Sequence, residues 1–182
     1  IELKEDAQPK KRRPFPIPQS QYQLMKDEAN RLKDIGVLEW VDTKQPGTGD
    51  PDFASPSVPQ PKKDTNQIRF LTGFEELNKH IIRRPFPLPK ISDMLQKLRG
   101  FRWASAIDLS MGYYHIPLDE WSQNLCTTVL PWGKYRYKRL PMGISSAPDI
   151  FQQVMVDFKA VENACKPGGF CLRSSDCQCD SC

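Results

Sequence analysis

The heptapeptide RRPFPIP at residues 12–18 returns almost unchanged as RRPFPLP at residues 83–89. Each proline fixes its own φ at about −65° and removes a backbone N–H donor. It also disfavours helix in the residue before it. Both heptapeptides are therefore predicted to be extended, polyproline-like segments. Regular helices and strands are therefore expected before, between and after these two segments.

An amphipathic pattern follows the first heptapeptide, in QSQYQLMKDEANRLKDIGV. Ser20 is a candidate N-cap, and Leu24, Leu32 and Ile35 fall roughly on one face of a helix. Gly36 stands where such a helix would end. This stretch predicts a helix that the first heptapeptide leads into.

The second heptapeptide leads into a shorter version of the same pattern, KISDMLQKLRGF. Here the predicted cap, the inward-facing side chains and the terminator are Ser92, Met94, Leu95, Leu98 and Gly100. The sequences beyond the two helices diverge, which argues against an internal repeat. We interpret the heptapeptides as one structural device used twice, with a ligand motif for a peptide-binding module as the alternative.

The remaining segments alternate between strand and helix patterns. SPSVPQPKKD and QIRFLTGF predict a hairpin turning at DTN, with Pro59 and Pro61 restricting its first arm to a sheet edge. RWASAIDL predicts a buried strand ending at Asp108, and TTVLPWGKYRYKRLPMG predicts a second hairpin turning at WGK. APDIFQQVMVDF predicts a helix with Pro148 near its first turn. This mixed order predicts an α+β fold.

Net charge and composition exclude few classes of function. The net charge is +4, and basic clusters such as KKRR and KYRYKR indicate nucleic-acid binding only weakly, with solvated surface charge as the alternative. No apolar run suffices for a bilayer span, and no signal-peptide pattern opens these residues. We therefore expect no membrane partner and an intracellular location, in a cytoplasmic particle or the nucleus.

Asp108 is the main candidate for chemistry. A carboxylate at the end of an apolar strand is costly unless it binds a cation, a basic partner or backbone donors. The alternative is that Asp108 only caps the turn at SMG. His80 and His115 lack metal-ligand partners at useful spacing and are predicted to be ordinary polar residues.

Four motifs in order resemble the reverse transcriptases of gypsy-type LTR retrotransposons, and the whole resemblance covers about residues 19 to 156. The motifs are SPSVPQPKKD, IRFLTGFEELNKHIIRRPFPLPKISDMLQKLRG, WASAIDLSMGYYHIPL and LPWGKYRYKRLPMGISSAPDIFQQVM. The resemblance implies the fingers and first part of the palm of a right-hand polymerase. It also implies template-directed nucleotidyl transfer with Mg²⁺ or Mn²⁺, on an RNA or DNA template-primer with dNTP as substrate. The rest of a Pol polyprotein is an implied partner.

The resemblance also implies roles for individual residues. Asp108 would be the first metal-binding, catalytic aspartate, with the Leu109 carbonyl as a second contact. Tyr113 would lie under the incoming sugar, although core packing is its alternative. The other implied nucleotide or template contacts are Met142, Gly143, Lys63 and Arg69. Pro148, Phe151 and Gln152 would build the helix that follows.

Two departures from the family pattern matter. In GFEELN, Gly73 and Glu75 occupy the places of an acid and an arginine, so nucleotide affinity is expected to be lower. The paired aspartates of a Y-x-D-D motif do not occur in these 182 residues. We therefore expect a fragment truncated before the catalytic palm hairpin, and a chain that does not polymerise alone.

The expected segments follow from these motifs. They are a basic, Pro-rich linker (1–18), fingers (19–100), a palm strand (101–118), a returning fingers hairpin (119–147), the start of a palm helix (148–156) and an unrelated, irregular Cys-rich tail (157–182). The tail holds five of the six cysteines, which could form disulfides or bind a soft metal. Two alternatives for the whole chain are a domesticated nucleic-acid-binding protein with a partner-binding tail, and a secreted Cys-rich polypeptide fused to retroelement sequence.

Overall fold

The computed structural model describes residues 1–41, 51–62, 67–87, 90, 92–93, 96 and 108–164, with side chains described up to residue 157. Its helices are α1 (Gln19–Asp34), α2 (Glu75–His80), a 3₁₀ helix (Gly112–His115), α3 (Glu120–Leu125) and α4 (Ala147–Ala164). Its strands are β1 (Leu38–Val41), β2 (Ser55–Pro61), β3 (Ile68–Thr72), β4 (Thr127–Leu130) and β5 (Gly133–Tyr137). The prediction of mixed helices and strands is confirmed.

The five strands form one sheet in the order β1-β5-β4-β2-β3. β2 and β4 run parallel over Ser55 and Pro56, whereas the other three pairs are antiparallel. Helix α1 contacts both edge strands, β1 and β3, so it crosses one face of the sheet. The core between them contains Met25, Ala29, Leu32, Leu38, Ile68, Phe70, Phe74, Leu77, Tyr135, Tyr137 and Leu140.

Helix α1 confirms the predicted lead-in but corrects two of its residues. Ser20 is inside the helix and is not its cap, because the helix begins directly after Pro18, whose carbonyl accepts the Gln21 N–H at 2.9 Å. Ile35 is exposed, because the helix ends at Asp34 and Ile35 no longer lies on its inner face. Gly36 follows with φ of +73°, as expected of a helix terminator.

The second lead-in is described only in part. Ser92, Asp93 and Gln96 are helical, and the Ser92 hydroxyl donates to the Asp93 carboxylate at 3.2 Å. Ser92 is thus already within helical structure. The other residues of that prediction, Met94, Leu95, Leu98 and Gly100, lie outside the described residues, as do residues 101–107 of the predicted strand before Asp108.

The predicted β2–β3 hairpin is confirmed, but the assignment of β2 to a sheet edge is wrong for the first part of the strand. β2 is an interior strand at Ser55 and Pro56, where β4 pairs with its other side. Pro59 and Pro61 pair only with β3, because β4 is too short to reach them. The prolines therefore lie where β2 extends past β4, and a missing N–H costs no ladder bond there.

The β4–β5 hairpin turns one residue earlier than predicted. Leu130 pairs with Gly133, so Pro131 and Trp132 form the turn. Gly133 makes room for the Trp40 ring that covers it, because a Cβ there would lie 2.1 Å from the ring and the ring would have to move. The hairpin is thus fixed against β1 by an aromatic side chain resting on a glycine.

Helix α4 begins with Pro148 as its second residue, as predicted, and continues to Ala164. It therefore crosses the predicted boundary between residues 156 and 157, so the tail is not irregular from its start. The division into fingers and palm segments stays a prediction. Among the described residues, no helix combines the length and apolarity needed to cross a bilayer.

Candidate nucleotide and nucleic-acid site

Asp108 and Leu109 lie on the surface, immediately before a turn at Ser110 and Met111. Within the described residues, the Asp108 carboxylate makes no hydrogen bond, which disfavours the alternative that it only caps the turn. Met111 has φ of +56°, a left-handed conformation that is unusual for a side chain of this kind. The strained turn leaves the carboxylate exposed and directs the chain into the 3₁₀ helix.

Tyr113 is on that 3₁₀ helix and is half-buried. Its ring packs against Phe151 of α4 with centroids 5.1 Å apart. Gly112 allows this approach, because a Cβ there would lie 3.1 Å from the Phe151 ring. Phe151 lies in helix α4, as predicted, and in addition supports the Tyr113 ring. The Phe151 contact also means that one side of the Tyr113 ring takes part in core packing, which was the alternative role for this residue.

The loop that carries Met142 and Gly143 is held by Asn78 of α2. The Asn78 amide donates to the Gly143 carbonyl and its oxygen accepts the Ser145 N–H, both at 2.8 Å. Met142 is 47% exposed and Gly143 has φ of +94°. Sequence reasoning missed Asn78; the only signal for it was its place at the end of GFEELN.

The fingers contribute Arg69, which is exposed on β3 opposite Gln60. Lys63 lies outside the described residues. A groove of about 500 Å³ joins the turn end of this hairpin to the turn after Asp108. Its lining residues come from α1, from the hairpin and from the turn: Leu24, Asp27, Glu28, Arg31, Lys62, Gln67, Ile68, Ser110 and Met111. The structure thus brings the hairpin and the Asp108 turn to one groove. No hydrogen bond or ion pair joins Asp108 to Arg69 among the described residues.

A chain of buried hydroxyls connects the hairpin to the 3₁₀ helix. Ser57 bonds to Thr128 and Thr72, each at 2.6 Å, and Thr72 bonds to Tyr137 at 2.8 Å. The Tyr114 ring stacks on Tyr137, with centroids 6.4 Å apart. Burial raises the pKa of both tyrosines, so their hydroxyls stay protonated. This network fixes the positions of β2, β3, β4 and β5 relative to Tyr114, which follows Tyr113 in the 3₁₀ helix.

The basic clusters are largely paired with acids of the same chain. Lys10 lies 3.0 Å from Glu76, and Arg12 lies 3.2 Å from Glu75. In KYRYKR the tyrosines are buried, whereas Arg136 faces the other side of the sheet and donates to Glu39 at 2.6 Å. Glu75, which stands where the family pattern has an arginine, therefore pairs with Arg12 of the first heptapeptide.

The described residues alone do not form a metal centre. They include no group of three or more His, Cys, Asp or Glu side chains that could hold an ion. One exposed carboxylate, Asp108, cannot fix two divalent cations. His80 packs near Phe53 and His115 lies 3.3 Å from the Ser110 carbonyl, as expected of ordinary polar residues.

Two carboxylates predict how stability depends on pH. Hydrogen bonds from Lys10 and Lys79 lower the pKa of Glu76 from 4.5 to about 2, and Arg83 with a backbone N–H lowers the pKa of Asp149. A group whose pKa is lowered by folding contributes stability above its unfolded pKa and loses it as pH falls through the folded value. We expect unfolding free energy, measured in urea, to fall between pH 4.5 and about 2. Glu76→Gln should make that fall shallower; an unchanged profile would contradict the assignment.

A family model described as reverse transcriptase (RNA-dependent DNA polymerase) matches residues 60–168, more than half of the chain. The chain belongs to the reverse transcriptase family. The retrovirus-related Pol polyprotein from transposon 412 of Drosophila melanogaster is 34% identical over 59% of this chain and 9% of its own length. The transposon Tf2-3 polyprotein of Schizosaccharomyces pombe is 29% identical over 77% of this chain and 10% of its own. The recognition made from the motifs is confirmed.

Solved structures agree on the fold of this reverse transcriptase fragment. The native protease-reverse transcriptase of prototype foamy virus has a TM-score of 0.71 at 22% identity, over 85% of this chain and 20% of that one. A foamy viral protease-reverse transcriptase in complex with double-stranded DNA has a TM-score of 0.65 at 21% identity, over 85% of this chain and 25% of that one. The fingers and palm type of fold is confirmed.

The chain spans about a tenth of the length of the curated relatives described above. It therefore corresponds to part of a reverse transcriptase domain within a retrotransposon polyprotein. Nothing in these comparisons favours a domesticated binding protein. The Cys-rich residues 165–182 lie outside the described residues.

Proposed function

We propose that this chain is the part of a retrotransposon reverse transcriptase that holds an RNA or DNA template-primer and the incoming dNTP. The observation that carries the proposal is the groove between the fingers hairpin and the exposed Asp108 turn. Family membership supplies the substrate class. The groove supplies a surface between the two elements: its lining residues Lys62, Ile68 and Ser110 are the sequence neighbours of Lys63, Arg69 and Leu109.

The site residues keep the roles that the resemblance implies. Asp108, with the Leu109 carbonyl, would contribute the first ligands of a divalent cation; both residues are exposed. Tyr113 would limit the space at the sugar, because its ring is braced from behind by Phe151. Gly143 and Met142 would contact nucleotide or template from the loop that Asn78 holds.

The basic residues would act through charge. Arg69 and Lys63 belong to the fingers hairpin, where a guanidinium or an ammonium can approach triphosphate or template phosphates. Lys62, which precedes Lys63 in the sequence, lines the groove. Since most other basic clusters are paired internally, these hairpin residues would provide much of the salt-dependent affinity.

Catalysis would require carboxylates from outside these 182 residues. Mg²⁺ or Mn²⁺ would neutralise charge on the reacting oxygens when bound. Asp108 could share such ions with a further pair of aspartates, but it cannot replace them. We therefore expect the chain alone to bind template-primer without extending it. Extension would require the rest of a Pol polyprotein.

Salt-dependent binding tests this proposal. We would measure the affinity of the 182-residue chain for a labelled template-primer between 50 and 200 mM salt, a range in which about 10³-fold losses are typical of phosphate-dominated binding. Arg69→Gln should lower the slope of log K against log salt by about one phosphate contact. Lys33→Gln is the matched control, because Lys33 is also an exposed cation but belongs to α1 and not to the fingers hairpin. Equal slopes for both variants, or primer extension by the chain in Mg²⁺ or Mn²⁺, would contradict the proposal.

A further inference from the structure

Asp149 is a buried carboxylate with a complete set of partners. It is 4% exposed and lies in the first turn of α4. Arg83 donates to it from Nε at 2.7 Å and from a terminal nitrogen at 3.4 Å, and the Phe86 N–H donates at 3.0 Å. Both partners belong to the second heptapeptide. The carboxylate thus ties that extended segment to the start of α4.

The two heptapeptides use their leading arginine in the same way. Arg12 pairs with Glu75 in the first turn of α2, and Arg83 pairs with Asp149 in the first turn of α4. The environments differ. Glu75 is largely exposed, so its pair contributes little, whereas Asp149 is desolvated and depends on its partner.

The start of α4 also supports the candidate site. Phe151, two residues after Asp149, braces Tyr113 and fills the space beside Gly112. The loop carrying Gly143 ends where α4 begins. Residues two apart on a helix point to different sides, so α4 is held by the heptapeptide on one side and by the 3₁₀ helix on another.

We propose that Arg83 and Asp149 are positioning residues of this site. Their ion pair fixes the first turn of α4 and thereby sets Phe151 behind Tyr113. The inference rests on the proposed function only for the role of Tyr113 in nucleotide binding. The positioning itself is a property of the fold and can be measured without any nucleic acid.

Breaking one side of this pair has a defined physical consequence. Arg83→Gln leaves a buried carboxylate with one backbone donor, so the first turn of α4 must open or shift to hydrate it. Asp149→Asn keeps an acceptor for the Phe86 N–H but loses the charge. In the double variant the buried carboxylate loses its charge together with its partner, so the effect should be smaller than the sum of the two single effects.

Hydrogen exchange of the backbone amides at residues 112–116 is the test. Arg83→Gln should speed their exchange by about tenfold, with β5 amides changing less. Arg84→Gln is the matched control, because Arg84 is the next residue and pairs with Glu2 at 2.7 Å, but both of those side chains are exposed. We expect Arg84→Gln to stay within about twofold of the parent chain. Arg83→Lys, which keeps the charge, should recover most of the protection.

The outcomes separate the two proposals. Equal exchange in Arg83→Gln and Arg84→Gln, or a rise of the same size throughout the chain, would overturn the positioning role. If Arg83→Gln does not fold, the double variant with Asp149→Asn makes the same comparison without a buried charge. Exchange that responds as expected, together with unchanged dNTP stabilisation of the template-primer complex, would uphold the positioning role and count against the nucleotide role of Tyr113.

Discussion

Replacing Tyr137 with alanine should lower the free energy of unfolding by about 3–5 kcal/mol, as large aromatic deletions in a packed core do. Tyr137 is among the largest fully buried side chains, and its ring contacts Phe74 and Tyr114. Its hydroxyl also ends the network that runs through Thr72. Since domains of this kind are stable by about 5–15 kcal/mol, this loss is a large part of the total stability. Urea denaturation followed by circular dichroism would measure it.

Tyr137→Phe is the matched control, because it keeps the ring and removes only the hydroxyl. Thr72 would still bond to Ser57, so we expect a cost of about 1–2 kcal/mol for the lost partner. The difference between the two variants measures the packing of the ring. If phenylalanine costs as much as alanine, the hydroxyl network and not the packing dominates, and our assignment is wrong.

Local patterns predicted most elements of the fold but not how they meet. Both hairpins, α1 and the start of α4 follow from alternation, helical spacing and proline placement. The parallel pairing of β2 with β4 does not, because it joins residues more than 70 positions apart. The Ser20 and Ile35 errors have a simpler origin: proline can begin a helix without a side-chain cap, and a helix can end before its apolar pattern does.

The site was predictable where a motif marks a residue and hidden where a residue acts through a neighbour. Asp108, Tyr113 and Gly143 stand in recognisable motifs; Asp108 and Tyr113 lie within two or three residues of the groove-lining Ser110 and Met111, whereas Gly143 lies on the loop that Asn78 holds. Asn78 and Asp149 act by holding other segments, and their partners lie more than 60 residues away. Spacing within a sequence carries no signal for such contacts, and only the folded chain reveals them.

The second large effect is expected at Gly143, whose φ of +94° is unfavourable for any residue with a side chain. A Cβ added there would also lie 3.3 Å from the Thr72 carbonyl, a backbone atom that cannot rotate away. Gly143→Ala should therefore cost about 2–3 kcal/mol, combining backbone strain with the close contact. It should also displace the loop that Asn78 holds and weaken template-primer binding.

Gly36→Ala separates these two causes. Gly36 has a similar φ of +73°, but a Cβ there would meet nothing within 4 Å. It should cost only the strain of a left-handed residue, about 1–2 kcal/mol, and leave binding unchanged. Denaturation and template-primer titration of both variants make the comparison. Two results would contradict this account: a larger loss of stability from Gly36→Ala, or the same loss of binding from both variants. Either would mean that Gly143 acts only through its left-handed backbone, as Gly36 does, and that its close approach to Thr72 does not shape the site.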